Sequence, residues 1–195
     1  MKKIARRVSI VFHPAIFILL LPFLIVYKQT ASGLYALKWQ IFLSFFVFLA
    51  GFMVVMGEKF GVFSDRDVTK RSEREKFYII ISAIIILFIA VVSILKGVLF
   101  APVIIAFGVL FGVLAFALLN HVFKISVHSG AACAFIIAVG ILYGIIVFFA
   151  ILWILPLVIW ARLITKNHTL AEAISGALLG GLITIATYFV GKNLV

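Results

Sequence analysis

The chain alternates long, unbroken apolar runs with short polar segments, and the lengths of the runs set the architecture. Val8 to Tyr27, Trp39 to Gly57, Phe77 to Leu95, Val98 to Phe123 and Leu170 to Val190 each approach or exceed the ~20 residues that carry an α-helix across a hydrocarbon core. Backbone groups in lipid find no water, so each run must bond within itself, which predicts helices. Ala131 to Trp160 is about 30 residues, too long for one span and barely enough for two. Gly140 and Gly144 mark the place to reverse, and two helices of about 15 residues would each reach about 23 Å. The expectation is an all-α, polytopic transmembrane helix bundle of six to seven membrane segments, forming a single domain over residues 1–195.

The polar segments punctuate this pattern. Lys28 to Lys38, with Ser32-Gly33, and Lys96-Gly97 read as turns. Residues 58–76 form a polar loop holding five of the six acids, and it is either solvated or half of a site. With a hairpin between Ala131 and Trp160, this loop, Lys124 to Gly130 and Arg162 to Glu172 all emerge on the side that carries the N-terminal segment. Gly176-Ala-Leu-Leu-Gly180 in the last span is a small-xxx-small pattern that lets helices approach closely.

Composition excludes a soluble domain: 66% of the 195 residues are hydrophobic and 12% charged, with a mean hydropathy of +1.35. The net charge of +11 does not point to nucleic acid, because the cations sit in short segments beside apolar runs, where topology and anionic lipid account for them. Of the 17 Lys and Arg residues, 13 fall on the side of the polar motifs, which makes that side cytoplasmic by the positive-inside rule. Lys2, Lys3, Arg6 and Arg7 before an apolar run have the charge order of a signal peptide, but no small-residue cleavage site follows, so a retained first helix is expected. Cys133, the single cysteine, allows no disulfide framework.

Candidate chemistry concentrates between Ala161 and Glu172. A helix beginning near His168 would put Glu172 four residues on, on the same face, within reach of the imidazole N–H. The acid would then fix the tautomer, and Arg162, six residues upstream, could grip an oxyanion, which suits phosphoryl transfer at a histidine nucleophile. A polar loop followed by a helix start explains the same residues without chemistry. His13, ahead of Pro14, reads as an interfacial side chain.

Together, three polar segments resemble the type 2 phosphatidic acid phosphatase superfamily, integral-membrane lipid phosphatases related to vanadium haloperoxidases. Arg162, five residues, His168, three residues and Glu172 are similar to that family's third motif, with Glu172 for its aspartate and Ala161 for its leading serine. Ile125-Ser126-Val127-His128 keeps the serine and histidine of the second motif but lacks its proline and glycine. The first motif, a lysine six residues before Arg-Pro, is degenerate. Laid on Arg74-Glu75 it puts Asp67 at the lysine position, with Lys70 and Arg71 as substitutes; Lys59 with Arg66 is the alternative register, with Asp67 for the proline.

The resemblance implies that His168 attacks phosphorus, Glu172 orients it and His128 protonates the leaving oxygen, while Arg162, Ser126, Arg74, Arg71 and Lys70 hold the phosphate. It implies no metal and no cofactor, and a substrate that is a lipid phosphate or isoprenoid diphosphate held among membrane lipids. The few carboxylates and many cations agree, being the reverse of a magnesium site. Two other readings stand beside this one. The first is a lipid-binding member of the fold without turnover. The second takes Asp65-x-Asp67 and Arg71 as part of a prenyltransferase-like diphosphate site, although no second acidic cluster accompanies them.

Overall fold

The computed structural model describes residues 1–95 and 100–194, and among these every long element is a helix. The order is α1 (Lys2–Val11), α2 (Pro14–Thr30), α3 (Gly33–Lys59), α4 (Arg74–Ile94) after a single 3-10 turn at Arg71–Glu73, α5 (Phe100–Val122), α6 (Val127–Tyr143), α7 (Ile145–Ile151), α8 (Ile154–Ile164) and α9 (Leu170–Leu194). Six helical segments are long and apolar enough to cross a membrane, and α6 is a shorter apolar helix. Large side chains such as Phe45, Phe48, Phe111, Leu118, Ile146 and Leu182 face outward. That is the surface of a bundle whose solvent is lipid.

Several boundaries differ from expectation for local reasons. The first apolar run is broken rather than continuous. Pro14 has no N–H and holds His13 extended (φ −70°, ψ 142°), so α1 ends at Val11 and α2 starts afresh. The His13 Nδ1 accepts the Ala15 N–H at 3.3 Å and caps the new helix. The turn expected over Lys28 to Lys38 shrinks to Ala31-Ser32, because Ser32 accepts the Tyr35 N–H and starts α3 six residues before Trp39. The expected Lys96-Gly97 turn lies outside the described residues.

The long run after Val127 does form a hairpin. It reverses at Gly144, whose φ of +96° is disfavoured for residues with a side chain. The two arms are longer than 15 residues, since α6 draws in Val127 to Gly130 and the return arm, α7 with α8, extends to Ile164. Pro156 cannot donate to the Leu152 carbonyl, which accounts for the interruption between α7 and α8. The reversal brings Arg162 and His168 back to the end of the bundle that holds Ser126 and His128.

Helices α6 and α9 cross with their backbones in contact. A Cβ on Gly176 would lie 2.3 Å from the Ser126 carbonyl oxygen, and one on Gly180 would lie 2.2 Å from that of Gly130. The small-xxx-small stripe of α9 therefore lies directly on the first turn of α6, and the Ser126 N–H donates to the Glu172 carbonyl at 3.2 Å. Because backbone atoms cannot rotate aside, Gly180→Ala is expected to destabilise the bundle by about 3 kcal/mol or more. Gly112→Ala, whose Cβ would meet Ile183 at an ordinary 3.8 Å, is expected to be neutral or mildly stabilising. Thermal unfolding in detergent separates the two.

Candidate active site

The return from α8 to α9 is a tight fold-back. Lys166 takes a left-handed conformation (φ 60°), and the Asn167 and His168 N–H groups both turn onto the Arg162 carbonyl, at 3.1 and 3.4 Å. Arg162 and His168 thereby stand side by side, both buried. A helix does start close to His168, as expected. Helix α9 begins at Leu170, and Thr169 and Glu172 make a capping box: the Thr169 N–H donates to Glu172 Oε2 at 3.1 Å, and the Glu172 N–H to Thr169 Oγ1 at 3.3 Å. The same Glu172 oxygen lies 2.9 Å from His168 Nδ1. A Thr-x-x-Glu signature was therefore present in the sequence beside the histidine, and it orders the acid that contacts the ring.

On its other side, His168 Nε2 lies 3.5 Å from Arg74 Nη2. With Nδ1–H donated to the carboxylate, Nε2 presents a lone pair toward the guanidinium. Burial, followed by the positive charges of Arg74, Arg162 and Lys124, pushes the His168 imidazole down to about 3. The ring is neutral at any ordinary pH. Arg74 is itself fixed, donating Nε–H to the Val68 carbonyl at 3.0 Å and Nη1–H to that of Ile125 at 2.8 Å. Lys124 donates to the Asn167 carbonyl at 2.7 Å, and burial, with Arg74 beside it, lowers its proton affinity.

Arg162 is fully enclosed, and its Nη1 reaches Asp67 Oδ2 at 3.0 Å. Turned with its oxygen inward, the Asn167 amide accepts from Arg162 Nη2 and Nη1 at 2.9 and 3.3 Å. Its Nε, however, is buried without a partner among the described residues, as is His128 Nε2. His128 stands in the first turn of α6, close enough to His168 for their charges to interact. Ser126 caps that helix, accepting the Ser129 N–H at 3.4 Å and its hydroxyl at 3.1 Å.

Not all the sequence candidates converge. Arg74, Ser126, His128, Arg162, His168 and Glu172 meet at one end of the bundle. Lys70 instead pairs with Glu73 at 3.4 Å on the exposed surface. Arg71 donates to the Asn120 and His121 carbonyls at the end of α5, where a cation suits the helix dipole. Of the alternative register, Arg66 is exposed and paired with Glu58 at 2.7 Å. Asp65 closes a local turn by accepting the N–H of Thr69 at 3.2 Å, together with its hydroxyl.

Two neighbours were read otherwise from the sequence. Asp67, considered for a missing lysine or proline, is the ionic partner of Arg162. His13, read as interfacial, sets its ring edge-on to His128 with centroids 5.1 Å apart. Ligand atoms of His13, Asp67 and His128 lie within 4.8 Å of one another, a spacing that could converge on a divalent ion. Two of those groups are already engaged: the His13 Nδ1 accepts a backbone N–H, which leaves its proton on Nε2, and Asp67 faces Arg162.

Compared with family models, curated proteins and solved structures, the chain matches none. The fold defines the class, a multi-pass helical membrane protein, with a cluster of imidazoles and guanidinium groups at one end of the bundle.

The low proton affinity of His168 has a direct consequence for stability. Between about pH 6.5 and about pH 3 the unfolded chain binds a proton on this ring that the folded chain refuses, so stability falls as pH falls through that window. Unfolding midpoints in detergent are expected to drop between about pH 7 and about pH 4.5, and His168→Asn to lose part of that slope.

Proposed function

We propose that this chain is a membrane lipid phosphatase that hydrolyses a lipid phosphate or polyprenyl diphosphate through a phosphohistidine. The observation that carries the proposal is the orientation of His168: Nδ1 toward Glu172 at 2.9 Å, Nε2 toward Arg74 at 3.5 Å. A neutral, oriented imidazole with cations around its free nitrogen is what nucleophilic attack on phosphorus requires.

In this reaction the Nε2 lone pair forms the N–P bond as the bond to the lipid oxygen breaks. His128, as imidazolium, gives its proton to that oxygen, and the charge of the arriving phosphate favours the protonated ring. Water then attacks phosphorus, its proton passing to His128, the N–P bond breaks and inorganic phosphate leaves. Arg74, Arg162 and Lys124 stabilise charge on the equatorial oxygens, which is the dominant contribution in phosphoryl transfer. Ser126 lies at the same helix end, where the dipole of α6 adds to the field. A groove of about 470 Å³ between α4 and α5 opens beside Glu75 and Tyr78, one turn from Arg74, and continues over Ile79, Ala83, Ile86 and Leu114. Its apolar stretch suits a lipid chain, and the site's cations lie outside its lining. By the distribution of cations, the catalytic end faces the cytoplasm.

One observation favours a second reading, a lipid-binding member of the fold without turnover: Asp67 sits on the guanidinium that phosphate needs.

Release of phosphate by the purified chain in detergent, from a panel of lipid phosphates and diphosphates with EDTA present, separates these readings. Hydrolysis is expected to persist in EDTA and to fall by at least about 10³-fold in His168→Ala. A phosphoenzyme should be trapped on acid-free quenching of the wild type and be absent from that variant. Turnover that needs a divalent ion, or that survives His168→Ala, overturns the phosphohistidine route, and no turnover on any substrate favours the binding protein.

A further inference from the structure

The ion pair between Asp67 and Arg162 has an unusual asymmetry. The Arg162 side chain is 2% exposed and that of Asp67 36%. A guanidinium so enclosed needs a counter-charge, since an unpaired cation there is strongly destabilising. Yet it is incompletely served: one Nη reaches Asp67, the Asn167 amide takes two bonds, and Nε has no partner among the described residues. A phosphate, with three oxygens, could satisfy donors that one carboxylate oxygen leaves bare.

The backbone on either side of Asp67 is anchored. Asp65 binds Thr69, and Val68 is buried, left-handed (φ 46°), with its carbonyl held by Arg74. The carboxylate can therefore turn toward water about its own side-chain bonds without disturbing the loop. It cannot stay beside an incoming phosphate, because two anions on one guanidinium repel.

We infer that Asp67 is an internal anion occupying the Arg162 seat, displaced by a membrane-anchored phosphate but not by free phosphate. This rests on the phosphatase reading for the identity of the ligand and selects among phosphates by where they reside. A lipid phosphate is held in the bilayer beside the site, and its chain supplies binding energy remote from the phosphorus, which free phosphate lacks. The carboxylate thus limits occupancy by free phosphate, the product of the proposed reaction.

The test compares the wild type, Asp67→Asn and Asp67→Glu in detergent. Inorganic phosphate binding is followed by the shift in unfolding midpoint and by calorimetry, and hydrolysis is measured on a lipid phosphate. Asp67→Asn is expected to bind inorganic phosphate about ten-fold or more tightly than wild type, to unfold earlier without phosphate, and to regain its midpoint when phosphate is added. Asp67→Glu, which keeps the charge, is expected to bind free phosphate as weakly as wild type. In hydrolysis, Asp67→Asn should show stronger inhibition by free phosphate and a lower KM for the lipid. Equal or weaker phosphate binding by Asp67→Asn overturns the inference, as does an Asp67→Asn protein that no phosphate concentration recovers in folded form. Tighter anion binding with no hydrolysis by any form leaves the internal anion standing and removes the hydrolase. Hydrolysis without the gain in anion affinity does the reverse.

Discussion

Everything at the polar end of this bundle depends on how closely α9 can lie on α6. Gly176 and Gly180 bring the backbones into contact with the carbonyls of Ser126 and Gly130, and the Ser126 N–H reaches across to the Glu172 carbonyl. In lipid, where apolar side chains gain little by leaving one apolar medium for another, such close backbone packing supplies the association that burial supplies in water. It also fixes the site. The first turn of α6 carries His128, and the segment leading into α9 carries His168, so the spacing of the two imidazoles follows from two absent side chains.

Around that crossing the chain has placed more positive charge than an apolar bundle tolerates without compensation. Arg74 and Arg162 are buried, with Lys124 beside them, and each is held by oxygen. Backbone carbonyls of Val68, Ile125 and Asn167 serve Arg74 and Lys124, and Asp67 with Asn167 serve Arg162. Carbonyl dipoles hold a cation in place without cancelling its charge, so Arg74 and Lys124 keep their positive fields. Burial first, and then the charges of Arg74, Arg162 and Lys124, keep the His168 ring neutral. Arg162 differs, because its partner is a full negative charge on a loop open to water.

The residues of the cluster come from segments far apart in the chain: the break before α2, the 58–76 loop, the entries to α4 and α6, and the return from α8. What gathers them is parity. Each long helix carries the chain across and back, and the α6–α7–α8 hairpin at Gly144 restores the count so that Arg162 returns to the end occupied by Ser126. Had that run crossed once, the same residues would have been divided between two faces.

The alternation of apolar runs and polar punctuation in the sequence determined the helical class, the membrane setting and most of the helix positions, because backbone in lipid has few alternatives to a helix. It also determined that Arg162, His168 and Glu172 would be neighbours, since a six-residue return and a capping box are local. The placements of Asp67, His13, Lys70 and Arg71 were not legible there. Asp67 and Arg71 find their partners 95 and 49 or 50 residues away along the chain, and His13 meets His128 only because Pro14 breaks the helix at that depth. Lys70 and Arg71 had the charge for a phosphate site but were drawn to Glu73 and to the end of α5, while an acid took the place beside Arg162. Local spacing fixes which groups can touch within a turn. Which cation faces the histidines depends on how the helices pack across the whole bundle, and that was decided only by the tertiary structure.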